Sequence, residues 1–294
     1  MRVPFVVKRA LPWKQNQQRI VSPMTQSYTP ERPAPSFMKV GDIRIAVLDR
    51  PGISPGVVWL GGYRSDMRGN KAERLAAVTA AEGRAMLRHD YSGHGESGGD
   101  FRKGTISRWL EESLAVFRRF AKGPQILVGS SMGAWIALRM TQELDRAGEA
   151  SARAVGRVAG LLLIAPAPDF TTELVEPALG DAQRQALTET GYVEVPSAYS
   201  PEPDVYTRAL MEDGTRNRVM TGIIDTHCPV HILQGMRDED VPFSHALKLM
   251  EHLPADDVTI TLMRDGDHRL SRPQDLDLIE RSLAGLIDRA GGRP

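Results

Sequence analysis

Apolar residues along this chain fall into short runs separated by amphipathic stretches. Ile43, Ile45 and Val47 recur at every second position, the period of a half-buried strand. A second run at 37–40 lies across Gly41-Asp42, a two-residue hairpin signal, so order is expected to begin near Phe37 with an antiparallel pair. Further strands are predicted at 57–60, 84–89, 126–128, 159–164, 230–234 and 258–263. Helical patterns at 71–81, 105–121, 132–146, 243–252 and 274–289 alternate with them. In the second of these, Leu110, Leu114 and Phe117 share one face at i, i+4 and i+7. Strand–helix alternation of this length predicts an α/β fold, a mostly parallel sheet of about eight strands with helices on both faces.

The rhythm breaks over 169–225. That stretch holds two helical-looking pieces, a proline-rich centre (Pro196, Pro201, Pro203) and no clear strand. Lying between two core strands, it reads as a small lid inserted over one end of the sheet. Residues 1–30 carry Arg2, Lys8, Arg9, Lys14 and Arg19 and no acidic residue. They read as a disordered or extended tail running to residue 35. A transit peptide of mitochondrial type and a true start at Met24 are the other readings of the same residues. One α/β domain is then expected over 36–294.

Composition narrows the class. At 294 residues, 41% hydrophobic and 25% charged, the chain is long enough for a large core and has an ordinary globular mixture. Lys+Arg 37 balances Asp+Glu 37, so the basic excess usual in nucleic-acid binders is missing. No apolar run approaches the roughly 18 residues of a membrane-spanning helix. One cysteine, Cys228, cannot form an internal disulfide, which fits a reducing, cytoplasmic setting.

The pattern G-x-S-x-G occurs twice, around Ser131 (Gly129 to Gly133) and around Ser97 (Gly95 to Gly99). The motif works only where a strand runs in and a helix runs out, so that the turn lifts the serine above the sheet. Ser131 has Ile126-Leu127-Val128 before it and an apolar helical pattern after it. Ser97 has neither and reads as a loop residue. A serine needs a base, and in this architecture the order is serine, acid, histidine. Asp238 and His268 follow the strands at 230–234 and 258–263, at the carboxyl ends where open α/β sheets bind ligands. His268 is therefore expected to be the base, with Asp238 orienting it and Asp240 and Asp267 as rival acids. Asp267, adjoining the base, should point away. The oxyanion donors are expected to be the backbone N–H groups of Met132 and of Tyr63 in the Gly61-Gly62-Tyr63 turn.

Other motifs read as structural. Gly93-His94-Gly95-Glu96-Ser97-Gly98 fits G-x-G-x-x-G, but a dinucleotide fingerprint should open directly into a helix, and here the helix waits until about Thr105. His227-Cys228-Pro229-Val230-His231 enters a strand, where alternation would not converge its side chains on one metal ion. No metal or organic cofactor is expected. Tyr192, Tyr199 and Tyr206 in the lid could equally line an acyl pocket or simply pack.

Asp90-Tyr91-Ser92-Gly93-His94-Gly95-Glu96-Ser97 and the turn at Ser131 resemble the α/β-hydrolase superfamily. The run from Gly123 to Gly133, Pro196 to Ser200, Cys228 to Pro242 and Asp267-His268-Arg269 are similar, more narrowly, to the group of α/β-hydrolase domain-containing protein ten. Those are mitochondrial serine hydrolases described as palmitoyl-protein thioesterases and acyl-glucuronide esterases. The similarity spans roughly residues 59–269 and implies Ser131, Asp238 and His268 as the triad. Ala134, where the group carries glycine, is a departure, and the lid matches only around 196–206. The expected function is hydrolysis of carboxylic esters or thioesters of a small-molecule or acylated substrate, with a peptidase or a non-catalytic binding protein on the same fold as alternatives.

Overall fold

The computed structural model describes residues 33–148, 156–197, 200–255 and 257–291. Residues 1–32, which hold most of the expected tail and Met24, lie outside them, as does Tyr199.

An eight-stranded sheet forms the centre, in the order β1-β2-β4-β3-β5-β6-β9-β10. Its strands are β1 (Ser36–Val40), β2 (Ile43–Arg50), β3 (Ile53–Leu60), β4 (Arg84–His89), β5 (Pro124–Ser130), β6 (Arg157–Ile164), β9 (Val230–Gly235) and β10 (Val258–Met263). β1 and β2 form the expected hairpin across Gly41, and β2 is antiparallel to β4. Every other neighbouring pair is parallel. All the catalytic candidates on loops after β3, β5, β9 and β10 therefore sit at one end of the sheet.

Successive residues of the central strands feed opposite cores, as the pleat requires. Val58 and Leu60 of β3 join Trp109, Leu114 and Phe117 of α2 (Ile106–Phe120) and the buried residues of α3 (Met132–Arg146). Val57 and Trp59 join Leu75 of α1 (Asn70–Ala81) and Ile279, Leu283 and Leu286 of α8 (Pro273–Gly291) on the other face. β5 is buried from Gln125 onward and reads as a near-continuous apolar run because both its faces are covered.

The 169–225 stretch departs from expectation in one respect. Besides a π-turn (Thr171–Val175) running into α4 (Glu176–Ala178), α5 (Asp181–Glu189) and α6 (Arg208–Arg216), it contains two strands. β7 (Tyr192–Val195) and β8 (Asp204–Thr207) pair antiparallel as a separate two-stranded sheet. Each is four residues long and only one of the eight residues is buried, so neither shows the alternation by which a strand is read from sequence. α7 (Phe243–Glu251) completes the body.

Candidate active site

Ser131 sits between β5 and α3 with φ 54° and ψ −119°, a backbone conformation that a non-glycine residue holds only under constraint. Two glycines make the turn possible. A Cβ on Gly129 would stand 2.5 Å from Gly133 O and 2.6 Å from Ala134 N. One on Gly133 would stand 2.6 Å from Gly61 O and closer still to Leu60 O. The Ser131 N–H donates to Ile164 O on β6 (2.9 Å), and its carbonyl accepts from Ala134 N (3.0 Å) and Ala167 N (3.2 Å). Ala134 is itself fully buried.

Loops after β9 and β10 bring two more residues to this turn. His268 Nε2 lies 3.1 Å from Ser131 Oγ, and its Nδ1 lies 2.8 Å from Asp238 Oδ2. The Asp238 carboxylate is shielded from water but fully solvated by protein donors. Its Oδ1 accepts from the N–H groups of Asp240 (3.1 Å) and Val241 (2.8 Å), and its Oδ2 accepts from Gln234 Nε2 (3.1 Å) as well as from the imidazole. Asp267 Oδ1 accepts from Leu270 N at 2.9 Å, capping its own loop. Asp240 lines the cavity wall instead. Asp238, Asp240 and His268 could offer three ligand atoms to a metal ion. Both ring nitrogens of His268 are already within hydrogen-bond distance of Ser131 and Asp238, so coordination there would break that chain of contacts.

Gln234 was not foreseen. It is fully buried at the end of β9, and its amide also reaches Gly235 O and Val241 O, both at 3.0 Å. Turning the amide over would set its oxygen against two carbonyls and a carboxylate, so this orientation is required. A buried polar residue near the end of a strand, four positions before Asp238, is the signal that could have found it.

The N–H of Met132 opens α3, where the first helical N–H groups have no partner in the helix. That of Tyr63 belongs to a turn closed by Ser65 N to Gly62 O (3.1 Å). Among the described residues, neither of these N–H groups donates to a backbone carbonyl outside helices and strands. Gly62 brings the turn close to the serine, since a Cβ there would meet Ser131 Cβ at 3.3 Å. The turn is also clasped by β8. The Tyr63 hydroxyl donates to Val205 O, and its ring stacks on Tyr206 at 5.5 Å and 12°. Arg64 pairs with Glu202 (3.0 Å) and Asp204 (3.3 Å) and donates to Pro203 O. Burial pushes the Tyr63 phenol well above its ordinary pKa, so it stays a neutral donor.

Ser131, His268 and Met132 open on a cavity of about 520 Å³, within the usual range for small-molecule sites. Phe170, Leu174, Val175 and Tyr206 from the 169–225 stretch give it an apolar wall. Asn70, Lys71 and Arg269 give it a polar one. Lys71 Nζ donates to Arg269 O at 2.5 Å, and desolvation first, then the charge of Arg269, brings its pKa down to about 8. Tyr206 thus lines the cavity, whereas Tyr192 lies beneath the Arg102 guanidinium at 4.5 Å, away from it.

The rival motifs fall into structural roles. Ser97 Oγ donates to Asp90 O (2.6 Å) and accepts from Ala46 N (2.8 Å). In the G-x-G-x-x-G loop most of the N–H groups a phosphate would need are already engaged within the protein. Gly93 N donates to Gly98 O, His94 N to Tyr91 O, Glu96 N to Asp90 Oδ2 and Ser97 N to His94 O. His231 bonds Thr261 on the neighbouring strand and His227 pairs with Asp225, so the pair does not converge.

The sequence pattern of the α/β hydrolase family matches residues 31–277. A mitochondrial palmitoyl-protein thioesterase of Mus musculus is 31% identical over 241 residues, 81% of this chain and 77% of that protein. The crystal structure of a protein of Agrobacterium vitis S4 assigned as a hydrolase is 57% identical, with a TM-score of 0.82 over 87% of this chain and all of that one. Mouse α/β hydrolase domain-containing protein ten is 30% identical, with a TM-score of 0.76 over 87% of this chain and 99% of that one. A family pattern spanning most of the chain, on an eight-stranded sheet of this order, has one meaning: the chain belongs to the α/β hydrolase family.

Proposed function

We propose that this protein is a serine hydrolase that cleaves carboxylic ester or thioester bonds through an acyl-enzyme. The observation that carries the reading is the single imidazole, His268, within hydrogen-bond distance of both Ser131 Oγ and the buried Asp238 carboxylate. In the first half-reaction Ser131 Oγ attacks the substrate carbonyl carbon and its proton passes to His268 Nε2. Asp238 stabilises the imidazolium, and the N–H groups of Met132 and Tyr63 take the oxyanion. The carbon–oxygen or carbon–sulfur bond then breaks, and the leaving group departs with the proton from His268. In the second, water gives a proton to His268, attacks the acyl ester, and the acid leaves as Ser131 regains its proton.

The 169–225 stretch acts in this reading as a lid that shapes the acyl side of the cavity. Its apolar wall suits a fatty acyl chain, and the relatives named above as palmitoyl-protein thioesterases make such thioesters the first class to test. A small or acylated substrate fits a chain with no overall basic excess, Lys+Arg 37 against Asp+Glu 37, and the helices of the described residues include none long and apolar enough to cross a membrane. Those relatives are mitochondrial by name, whereas Cys228 and the composition fit a reducing, cytoplasmic setting, which cell fractionation with an antibody to the native chain decides.

The test is a matched panel of acyl thioesters of increasing chain length, the oxygen esters of the same acids and one acyl glucuronide, with wild type and Ser131→Ala side by side. Turnover that vanishes in Ser131→Ala is expected. Full activity in that variant would overturn the reading.

A further inference from the structure

The glycine-rich loop after β4 is built with close tolerances, and the reaction just described makes no use of it. A Cβ on Gly93 would strike the backbone at Phe101, and one on Gly95 would strike the Asp90 carboxylate. The loop packs there around one buried ring, His94, which is 4% exposed. Tyr91, Phe101 and Trp109 enclose that ring, with centroids 5.5, 5.1 and 5.3 Å away and the rings nearly perpendicular to it.

The hydrogen bonds of His94 admit one protonation state. Nδ1 lies 3.1 Å from Ser92 O, which can only accept. Nε2 lies 3.2 Å from the Arg64 backbone N–H, which can only donate. The ring is therefore neutral, with its proton on Nδ1 and a lone pair on Nε2. Burial favours the neutral form and lowers the pKa to about 4, against the opposing pull of the Ser92 carbonyl.

Arg64 is the third residue of the turn Gly62-Tyr63-Arg64-Ser65, and its φ of 56° lies in the left-handed region where a long side chain is disfavoured. A turn of this kind needs a positive φ at its third position, and losing it flips the peptide between the two central residues. The Arg64 N–H belongs to that peptide. An acceptor fixed beneath it holds the peptide plane, and with it the Tyr63 backbone just upstream.

We propose that His94 is a positioning residue for the oxyanion loop: its Nε2 holds the Arg64 N–H and so fixes the direction of the Tyr63 N–H. The proposal rests on the assignment of Tyr63 as an oxyanion donor. The G-H-G segment is then a footing for the catalytic loop rather than a phosphate cradle.

Two variants separate the acceptor from the packing. His94→Phe keeps an aromatic ring among Tyr91, Phe101 and Trp109 but has no lone pair, and His94→Gln offers an amide oxygen near the place of Nε2. Each is assayed for kcat and KM on a thioester and for inhibition by a trifluoromethyl ketone, whose adduct puts a tetrahedral oxyanion in the hole. His94→Phe is expected to lower kcat by tenfold or more, part of the roughly 10²–10³ that loss of one donor costs, with KM within twofold. Its ketone affinity should fall by a similar factor, and His94→Gln should recover most of both. Unchanged kcat in His94→Phe, or a fall in kcat without loss of ketone affinity, would overturn the proposal. Nitrogen NMR of the wild-type imidazoles gives a second reading that needs no variant: a His94 ring carrying its proton on Nε2 at neutral pH would also overturn it. If Ser131→Ala retains wild-type turnover, the proposed reaction fails instead, whatever the His94 tautomer.

Discussion

Gly133→Ala should be among the most damaging single-methyl changes in the molecule, although it replaces a glycine by the best helix former inside α3. Intrinsic propensity alone would favour the alanine by about 1 kcal/mol. The added Cβ, however, would stand 2.6 Å from Gly61 O and nearer to Leu60 O, where ordinary contacts begin at 3.4 Å. A gap of about 0.8 Å must open at Gly61, and both obstacles are backbone, so no side chain can swing aside. Overpacking of this kind costs roughly 1–3 kcal/mol. For a domain of this size that corresponds to a fall of about 2–4 °C in Tm per kcal/mol. The movement also falls directly on the turn that carries Tyr63, opposite Met132. A displacement of about 1 Å in a catalytic group can cost on the order of 100-fold in rate. The expected outcome is a Tm several degrees lower and a kcat on a p-nitrophenyl ester reduced by roughly 10- to 100-fold, with fluorophosphonate titration of Ser131 correcting for inactive protein. A Gly133→Ala protein with a raised Tm and kcat within twofold of wild type would refute the argument that backbone approach, and not helix geometry, demands this glycine.

Asp238→Asn should lower kcat on the order of 10³–10⁴-fold by spoiling the His268 tautomer, while Asp240→Asn stays within threefold; equal losses in the two would mean the acids share the role. Gln234→Leu removes the donor that Gly235 O and Val241 O share with Asp238 Oδ2, and although Oδ2 keeps the His268 imidazole, loss of this buried donor should cost about 1–3 kcal/mol. Urea denaturation should show that loss together with a fall in kcat, and a stability equal to wild type would speak against it. His89 is fully buried, and desolvation lowers its pKa to about 4, against about 6.5 in the unfolded chain. Between those values the unfolded state binds more protons, so stability is lost as pH falls from 6.5 to 4, by on the order of 3 kcal/mol for this group. His89→Phe should flatten that part of the pH profile in urea melts, and an unaltered slope would count against the burial argument.

The parts of the fold that sequence periodicity reveals are those whose environment repeats. β5 and β6 are covered on both faces and read as apolar runs, and α2 carries a plain apolar stripe. Ser131 was legible as a candidate because a strand, a tight glycine turn and a helix must follow one another in sequence, as they do here. Asp238 and His268 were legible as candidates because each follows a strand at the same end of the sheet. β7 and β8 were not, since they are half-exposed and take their shape from Tyr63, Arg64 and Arg102, far off in the chain. Gln234 and His94 were seen as letters of a strand and of a glycine motif. Their roles depend on which backbone groups lie opposite, and one-dimensional patterns carry no such information.

The double grip on Tyr63 and Arg64 bears on any attempt to retarget this scaffold by transplanting the 169–225 stretch from a homologue. The donor segment would bring a new cavity wall, but residues 202–206 also anchor the turn beside Ser131 through the Tyr63 hydroxyl, the Tyr206 ring and the Arg64 ion pairs. A graft chosen for pocket shape alone would unmoor that turn, and the chimera would bind new substrates yet turn them over slowly. Transplantation would have to move Tyr63 and Arg64 with the segment, as one cassette whose two pieces lie some 140 positions apart.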